Sequence, residues 1–91
     1  MTDSERLKLL KADLNISTNA RDDYLIMILS AARNFIATEG ITLSEEDTGD
    51  DMLLIMYAAY LYRHRQDKSN AMPRMLRWAL NNRLIQEKGA T

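Results

Sequence analysis

The sequence contains no cysteine, one proline and three glycines. Without cysteine the chain has no disulfide, no thiolate nucleophile and no cysteine zinc site. It also lacks the glycine-rich loops that hold nucleotide phosphates, and it has neither a Gly-x-Ser-x-Gly nor a His-Glu-x-x-His motif. Its longest apolar run, residues 52–62, is too short to cross a bilayer. We therefore expect a protein that is not an enzyme, uses no cofactor and does not enter a membrane.

The chain has 91 residues, of which 46% are hydrophobic and 27% charged, as is typical of a small globular domain. A domain of this size has a modest core and often gains stability by association. Its first ten residues include four charged ones, so we expect no signal peptide. We predict a single helical domain over residues 1–91, with an ordered core at about 3–86 and a frayed tail at 87–91.

Hydrophobic periodicity predicts an all-α fold, a compact domain of four helices. Their predicted ranges are residues 3–14, 20–39, 51–65 and 73–86. Thr2 and Glu5 have the spacing of a capping box at the start of the first helix. Gly40 is placed to end the second helix in a left-handed conformation, and Pro73 suits the first turn of the fourth helix.

The predicted third helix is apolar around almost its whole circumference. Asp50 or Asp51 is expected to cap it, and Met52 and Met56 belong to one of its apolar stripes. A helix that is apolar on all sides is buried on more than one side. Because full burial is difficult within 91 residues, we expect part of this helix to face a second copy of the chain.

The second and fourth helices each have one clear apolar stripe. The stripe of the second helix includes Leu25 and Phe35, and that of the fourth includes Met75, Leu76 and Leu80. We predict that both stripes face the core. Two large apolar residues of the fourth helix, Trp78 and Ile85, lie on a different face from its stripe.

Charge is distributed unevenly along the chain. Residues 1–38 have no net charge, residues 39–62 carry −6 and residues 63–91 carry +5. This arrangement suits either a surface for nucleic acid or pairing between copies of the chain. The acidic residues 45–51 lack the alternating ligands and distal glutamate of a calcium loop, so we predict a solvated loop and a helix cap there.

The basic C-terminal third and the single histidine offer two further candidates for chemistry. Several arginines of this third of the chain could contact DNA phosphates, although a solvated helix surface is the better explanation of their presence. No pair of helices has the tight turn of a helix-turn-helix. His64 lies between Arg63 and Arg65 without an evident catalytic partner, and we expect it at the surface.

The order of these segments resembles the small head–tail connector proteins of tailed bacteriophages and prophages. The resemblance covers residues 5–86. It rests on the leucine-rich first helix, Asp22-Asp23 in the first turn of the second helix, Ala31-Ala32-Arg33, Tyr60-Leu61-Tyr62-Arg63-His64-Arg65 and Met72-Pro73. It implies a homo-oligomeric ring below the portal protein, through which DNA passes, that completes the head after packaging and docks the tail. The tail-completion protein is then a second partner, and the location is the head–tail interface of the virion after assembly in the bacterial cytoplasm. This chain is short for such a protein, with only a brief loop between its second and third helices.

A ring uses two different patches of each copy, and we hypothesise that the acidic and basic segments supply them. Aromatic residues favour interfaces because they offer a large rigid contact area. The predicted interface residues are Tyr57, Tyr62, Arg63, Arg65, Arg74, Arg77, Trp78, Glu45, Glu46 and Asp47. Two alternatives remain open, a small DNA-binding or packaging accessory protein and a dimeric helical interaction module.

Overall fold

A computed structural model describes residues 1–64 and 72–89 of the chain. Within those ranges the protein consists of four α-helices and contains no strand, which confirms the predicted all-α fold. The helices are α1 (Asp3–Leu14), α2 (Asp22–Thr38), α3 (Thr48–Arg63) and α4 (Arg74–Gly89).

The first helix has the bounds and the cap that its sequence predicts. The Thr2 hydroxyl accepts a hydrogen bond from the Glu5 amide, and the Glu5 carboxylate accepts one from the Thr2 amide at 3.0 Å. The helix ends at Asn15, whose left-handed backbone (φ 59°) lets its amide reach the carbonyls of the last turn. Both ends of α1 are therefore set by residues within it or next to it.

The second helix ends one residue before its predicted end and starts two residues after its predicted start. Asp22 and Asp23 occupy its first turn, where negative charge suits the helix dipole. Gly40 has φ 96° and donates its amide to the carbonyl of Ala37 at 3.0 Å, as the left-handed cap predicts. A chain reversal at this glycine leads to the loop that precedes α3.

The third helix begins earlier than predicted, and a different aspartate caps it. The Asp47 carboxylate accepts a hydrogen bond from the Gly49 amide at 2.8 Å, so Asp47 is the cap. The prediction that Asp50 or Asp51 caps the helix is wrong, because both lie inside its first turn and are buried. The helix ends at Arg63. Arg65 lies outside the residues that the structure describes.

The fourth helix follows Pro73, whose carbonyl accepts the Arg77 amide at 3.0 Å. It extends to Gly89, through residues 87–89 that were predicted to be frayed. Glu87 explains this extension, because its carboxylate accepts hydrogen bonds from the Thr42 amide at 3.2 Å and from Arg83 at 3.1 Å. Residues 90–91 lie outside the described part of the chain.

The core forms around α3, which packs against each of the other three helices, while α1 also contacts α2. Leu53, Leu54, Ile55 and Ala58 of α3 are all buried. The other helices cover them with Leu10, Leu25, Leu29, Ile36, Leu76 and Leu80. The apolar circumference of α3 is therefore covered largely by its own chain, and a second copy is not needed to bury it.

Two residues predicted to face the core, Met75 and Phe35, are exposed instead, and Met52 of α3 is exposed as well. Met75 retains 72% of its accessible surface, and Phe35 and Met52 retain about half of theirs. Met52 and the partly buried Met56 line an open groove between α3 and α4. Because α4 rests on α3 through Leu76 and Leu80, Met75 falls beside the contact instead of within it.

Candidate assembly surface

The most buried charged group is the guanidinium of Arg6, whose residue is 3% exposed. It donates to Asp51 at 2.9 Å, to Glu45 at 2.7 Å and to Asp3 at 2.8 Å. Asp51 is itself buried, whereas Asp3 and Glu45 reach into solvent. One arginine thus ties α1 to the first turn of α3 and to the loop before it.

The carboxylates around Arg6 stabilise its charge. Burial opposes the charged guanidinium, but hydrogen bonds to Asp51, Glu45 and Asp3 raise the pKa of Arg6 above its ordinary value. At the solvent side of the cluster, Arg33 and then Arg6 lower the pKa of Asp3 by donating to its carboxylate. The hydrogen bonds of the cluster therefore favour the charged forms of both Arg6 and Asp3.

A second buried ion pair joins α4 to the other side of the same turn. Arg83 donates to the carboxylate of Asp50 at 2.7 Å and to the carbonyl of Thr42 at 2.8 Å. The Asp50 residue is 3% exposed and also accepts the amide of Ser44 at 2.8 Å. Burial alone raises the pKa of Asp50, but Arg83 and the Ser44 amide outweigh it, so the pKa of Asp50 lies below its ordinary value.

Ion pairs within the chain neutralise much of both charged segments. Besides the two clusters above, Arg77 pairs with Glu39 at 2.9 Å and Arg63 pairs with Asp13 at 3.1 Å. These contacts do not support the hypothesis that the acidic and basic segments are the two patches of a ring. The side chains that were assigned to a contact between copies largely hold one copy together.

The predicted acidic interface residues have local roles. Glu45 belongs to the Arg6 cluster, and Asp47 caps α3. Glu46 is exposed, and its amide donates to the Ser44 hydroxyl at 3.3 Å. Of this group, Glu46 alone keeps a carboxylate that the described residues do not engage.

The predicted aromatic residues differ in their accessibility. Tyr57 is 7% exposed and stacks on Phe35 with ring centroids 6.0 Å apart, so it belongs to the core. Tyr62 is half-buried and accepts a hydrogen bond from Arg21 at 2.6 Å. Trp78, by contrast, is 67% exposed. Of the three aromatic candidates, Trp78 is the one whose side chain is mostly exposed.

Trp78 belongs to an exposed surface that we call the α4 face. We define it as Met52, Met75, Trp78 and Ile85, together with Arg74. Met52, Trp78 and Ile85 border an open groove of about 700 Å³ between α3 and α4. Arg74 lies one helical turn from Trp78, and among the described residues it has no ion-pair partner. The sequence placed Trp78 and Ile85 off the buried stripe of α4 but gave no sign that Met52 joins them.

A second exposed surface runs along α2, and we call it the α2 face. Its members share one side of the helix by their spacing and are all exposed: Asp23, Ile26, Met27, Ser30, Asn34 and Ala37. Met27 retains 68% of its surface. Asp23 is the one charged residue of this face, and no described side chain pairs with it. The near absence of charge on the side of α2 opposite its buried stripe is the signal that sequence reasoning missed.

The single histidine of the chain is half-buried, next to a tyrosine. The ring of His64 lies 5.0 Å from that of Tyr60, centroid to centroid, near the end of α3. Among residues 1–64 and 72–89, no group of three or more His, Cys, Asp or Glu side chains is placed to hold a metal ion. In the same part of the chain, no helix is long and apolar enough to span a membrane.

No protein-family model matches the chain, and neither a curated protein nor a solved structure is significantly similar to it.

Proposed function

We propose that this protein is the subunit of a head–tail connector of a tailed bacteriophage or prophage. In this role, copies of the chain form a homo-oligomeric ring below the portal protein, complete the head after DNA packaging and dock the tail-completion protein. The ring acts at the head–tail interface of the virion and assembles in the cytoplasm of the bacterial host. The protein requires no cofactor and catalyses no reaction.

The observation that carries the proposal is the contrast between the interior charges and the exposed apolar faces. Large apolar patches on a protein surface favour association. Four large apolar side chains are exposed on these two faces: Met27, Met75, Trp78 and Ile85. The two faces lie on different helices, and a contact between different patches generates rings when its rotation closes. The order of segments in the sequence adds the resemblance to connector proteins.

The DNA-binding alternative receives less support from the side chains. Arg63, Arg77 and Arg83 each engage a carboxylate of the same chain, so their charge is offset before any phosphate arrives. Of the four arginines that the structure describes in the basic segment, Arg74 alone has no ion pair, and one arginine is a weak footprint for DNA. Arg65 and Lys68 lie outside the described residues. We therefore retain the connector as the one proposed function.

Electron microscopy of the concentrated, negatively stained protein tests this proposal. We expect closed rings with one fixed copy number and a central opening wide enough for duplex DNA. A purified portal protein from a tailed phage should bind these rings along their axis. Symmetric dimers as the largest species would contradict the connector and favour the dimeric interaction module.

A further inference from the structure

The α4 face and the α2 face are both unpartnered within the chain, and they point in different directions. Both α2 and α4 turn a buried stripe toward α3, and both expose the opposite side. Tyr57 and Tyr62 of α3 contact α2 through Phe35 and Tyr24, whereas Met52 borders α4 across the groove. The two helices thus approach α3 from different sides, and their outward faces do not form one surface.

The two faces, as defined by their residues, also carry opposite charges. Asp23 is the one charge on the α2 face, and Arg74 is the one charge on the α4 face. Neither has an ion-pair partner among the described residues, although most other charged side chains of the helices pair within the chain. A carboxylate and a guanidinium of this kind are complementary across an interface.

We propose that the α4 face of one copy docks on the α2 face of the next copy, an inference that rests on the proposed ring. Trp78 and Ile85 then pack against Ile26 and Met27 of the neighbour, and Arg74 pairs with the neighbour's Asp23. A two-fold contact would place one face against itself, leave the other in water and bring like charges together. The contact between the two different faces covers both apolar surfaces and pairs both charges.

Cysteine cross-linking distinguishes these arrangements, because the natural chain has no cysteine. Ser30→Cys places one thiol on the α2 face, and Asn81→Cys places one beside Trp78 on the exposed side of α4. Neither change removes an apolar residue of the faces. Lys8→Cys, exposed on α1 away from both faces, is the matched control. A short bismaleimide joins thiols that lie close together, without requiring the exact geometry of a disulfide.

We expect the mixture of Ser30→Cys and Asn81→Cys proteins, at concentrations where oligomers form, to give several-fold more cross-linked dimer than either protein alone. A chain with both changes should give a ladder that ends in one discrete band. Strongest cross-linking in Asn81→Cys alone or Ser30→Cys alone would overturn the proposal. So would a yield in the mixture no higher than with Lys8→Cys and Asn81→Cys.

The same experiment separates this contact from the proposed function. Closed rings in the microscope together with cross-links between two α4 faces leave the connector standing and overturn the contact. Cross-links between α2 and α4 faces in a ladder without an end support the contact and overturn the closed ring.

Discussion

At the start of α3 charged side chains lie inside the molecule, whereas along α2 and α4 large apolar side chains lie in solvent. Arg6 and Asp51 are almost fully buried, while Trp78 and Met75 keep about two thirds or more of their surface exposed. This is the reverse of the usual arrangement, in which charges face water and apolar residues are buried. The comparison indicates that the charges serve to hold the fold together and that the apolar faces are available for association.

The largest effect is expected from Arg6→Leu, which leaves Asp51 buried without its partner. Removing one member of a buried ion pair typically costs about 3–5 kcal/mol of unfolding free energy. Urea unfolding monitored by circular dichroism measures this loss. Arg33→Leu is the matched control, because Arg33 binds the same Asp3 from a partly exposed position and should cost less than about 1 kcal/mol. Equal losses in the two variants would contradict the structural role of the Arg6 cluster.

The second largest effect is expected from acidification, which should lower the free energy of unfolding. Hydrogen bonds from Arg33, Thr42 and Arg83 hold the pKa values of Asp3, Glu87 and Asp50 below their ordinary values. Groups with a lowered folded pKa stabilise the protein above their unfolded pKa, and that contribution is lost as the pH falls through the folded value. Unfolding free energy should therefore be constant near neutral pH and decline from about pH 5 downward.

The control for the acid effect is Asp50→Asn, which cannot titrate at this position. This variant should be less stable at neutral pH, and its unfolding free energy should fall less steeply on acidification. An identical pH dependence in the natural chain and the variant would show that the Arg83–Asp50 pair does not contribute to it.

A substitution on the α4 face should have the opposite effect: it should weaken association and leave the free energy of unfolding nearly unchanged. Trp78→Ser removes the largest residue of the α4 face and should weaken association by about 2 kcal/mol, which is roughly 30-fold in affinity. The unfolding free energy of the monomer should change by less than about 0.5 kcal/mol. Analytical ultracentrifugation measures the first quantity and urea unfolding the second. Leu9→Ser, exposed on α1 outside both faces, should leave association unchanged.

The smallest effect concerns the proposed pair of Asp23 and Arg74. Asp23→Lys and Arg74→Glu should each weaken association, and the chain carrying both changes should recover part of the loss. A coupling energy of about 1 kcal/mol, roughly fivefold in affinity, is typical of such pairs. The same experiment with Arg77→Glu should instead lower the unfolding free energy, because Arg77 pairs with Glu39 of its own chain. Purely additive losses for Asp23 and Arg74 would contradict their contact.

Local signals made much of the fold predictable from the sequence. The capping box at Thr2 and the glycine at position 40 lie next to the ends that they define, and both are confirmed. The start of α3 was mispredicted because three nearby aspartates compete for the cap. The choice among them depends on two distant arginines, since Arg6 donates to Asp51 across 45 residues of sequence and Arg83 donates to Asp50 across 33.

The candidate surface was only partly predictable, for a related reason. Helical spacing placed Trp78 and Ile85 away from the buried stripe, because one helix alone determines that relation. The exposure of Met52 and Met75 depends on how α4 rests on α3, and the internal pairing of Arg77 and Arg63 depends on distant carboxylates. These are tertiary relations, which periodicity does not contain.

The central claim is that the buried charges stabilise the fold, whereas the exposed apolar faces drive association. Light scattering coupled to size-exclusion chromatography tests it most directly, over a wide range of concentrations. The natural chain and the Trp78→Ser variant are compared side by side. We predict that the mass of the natural chain rises with concentration to a fixed multiple of the monomer, while the variant remains monomeric and folded. A natural chain that stays monomeric at every concentration, or a variant that assembles equally well, would contradict the account.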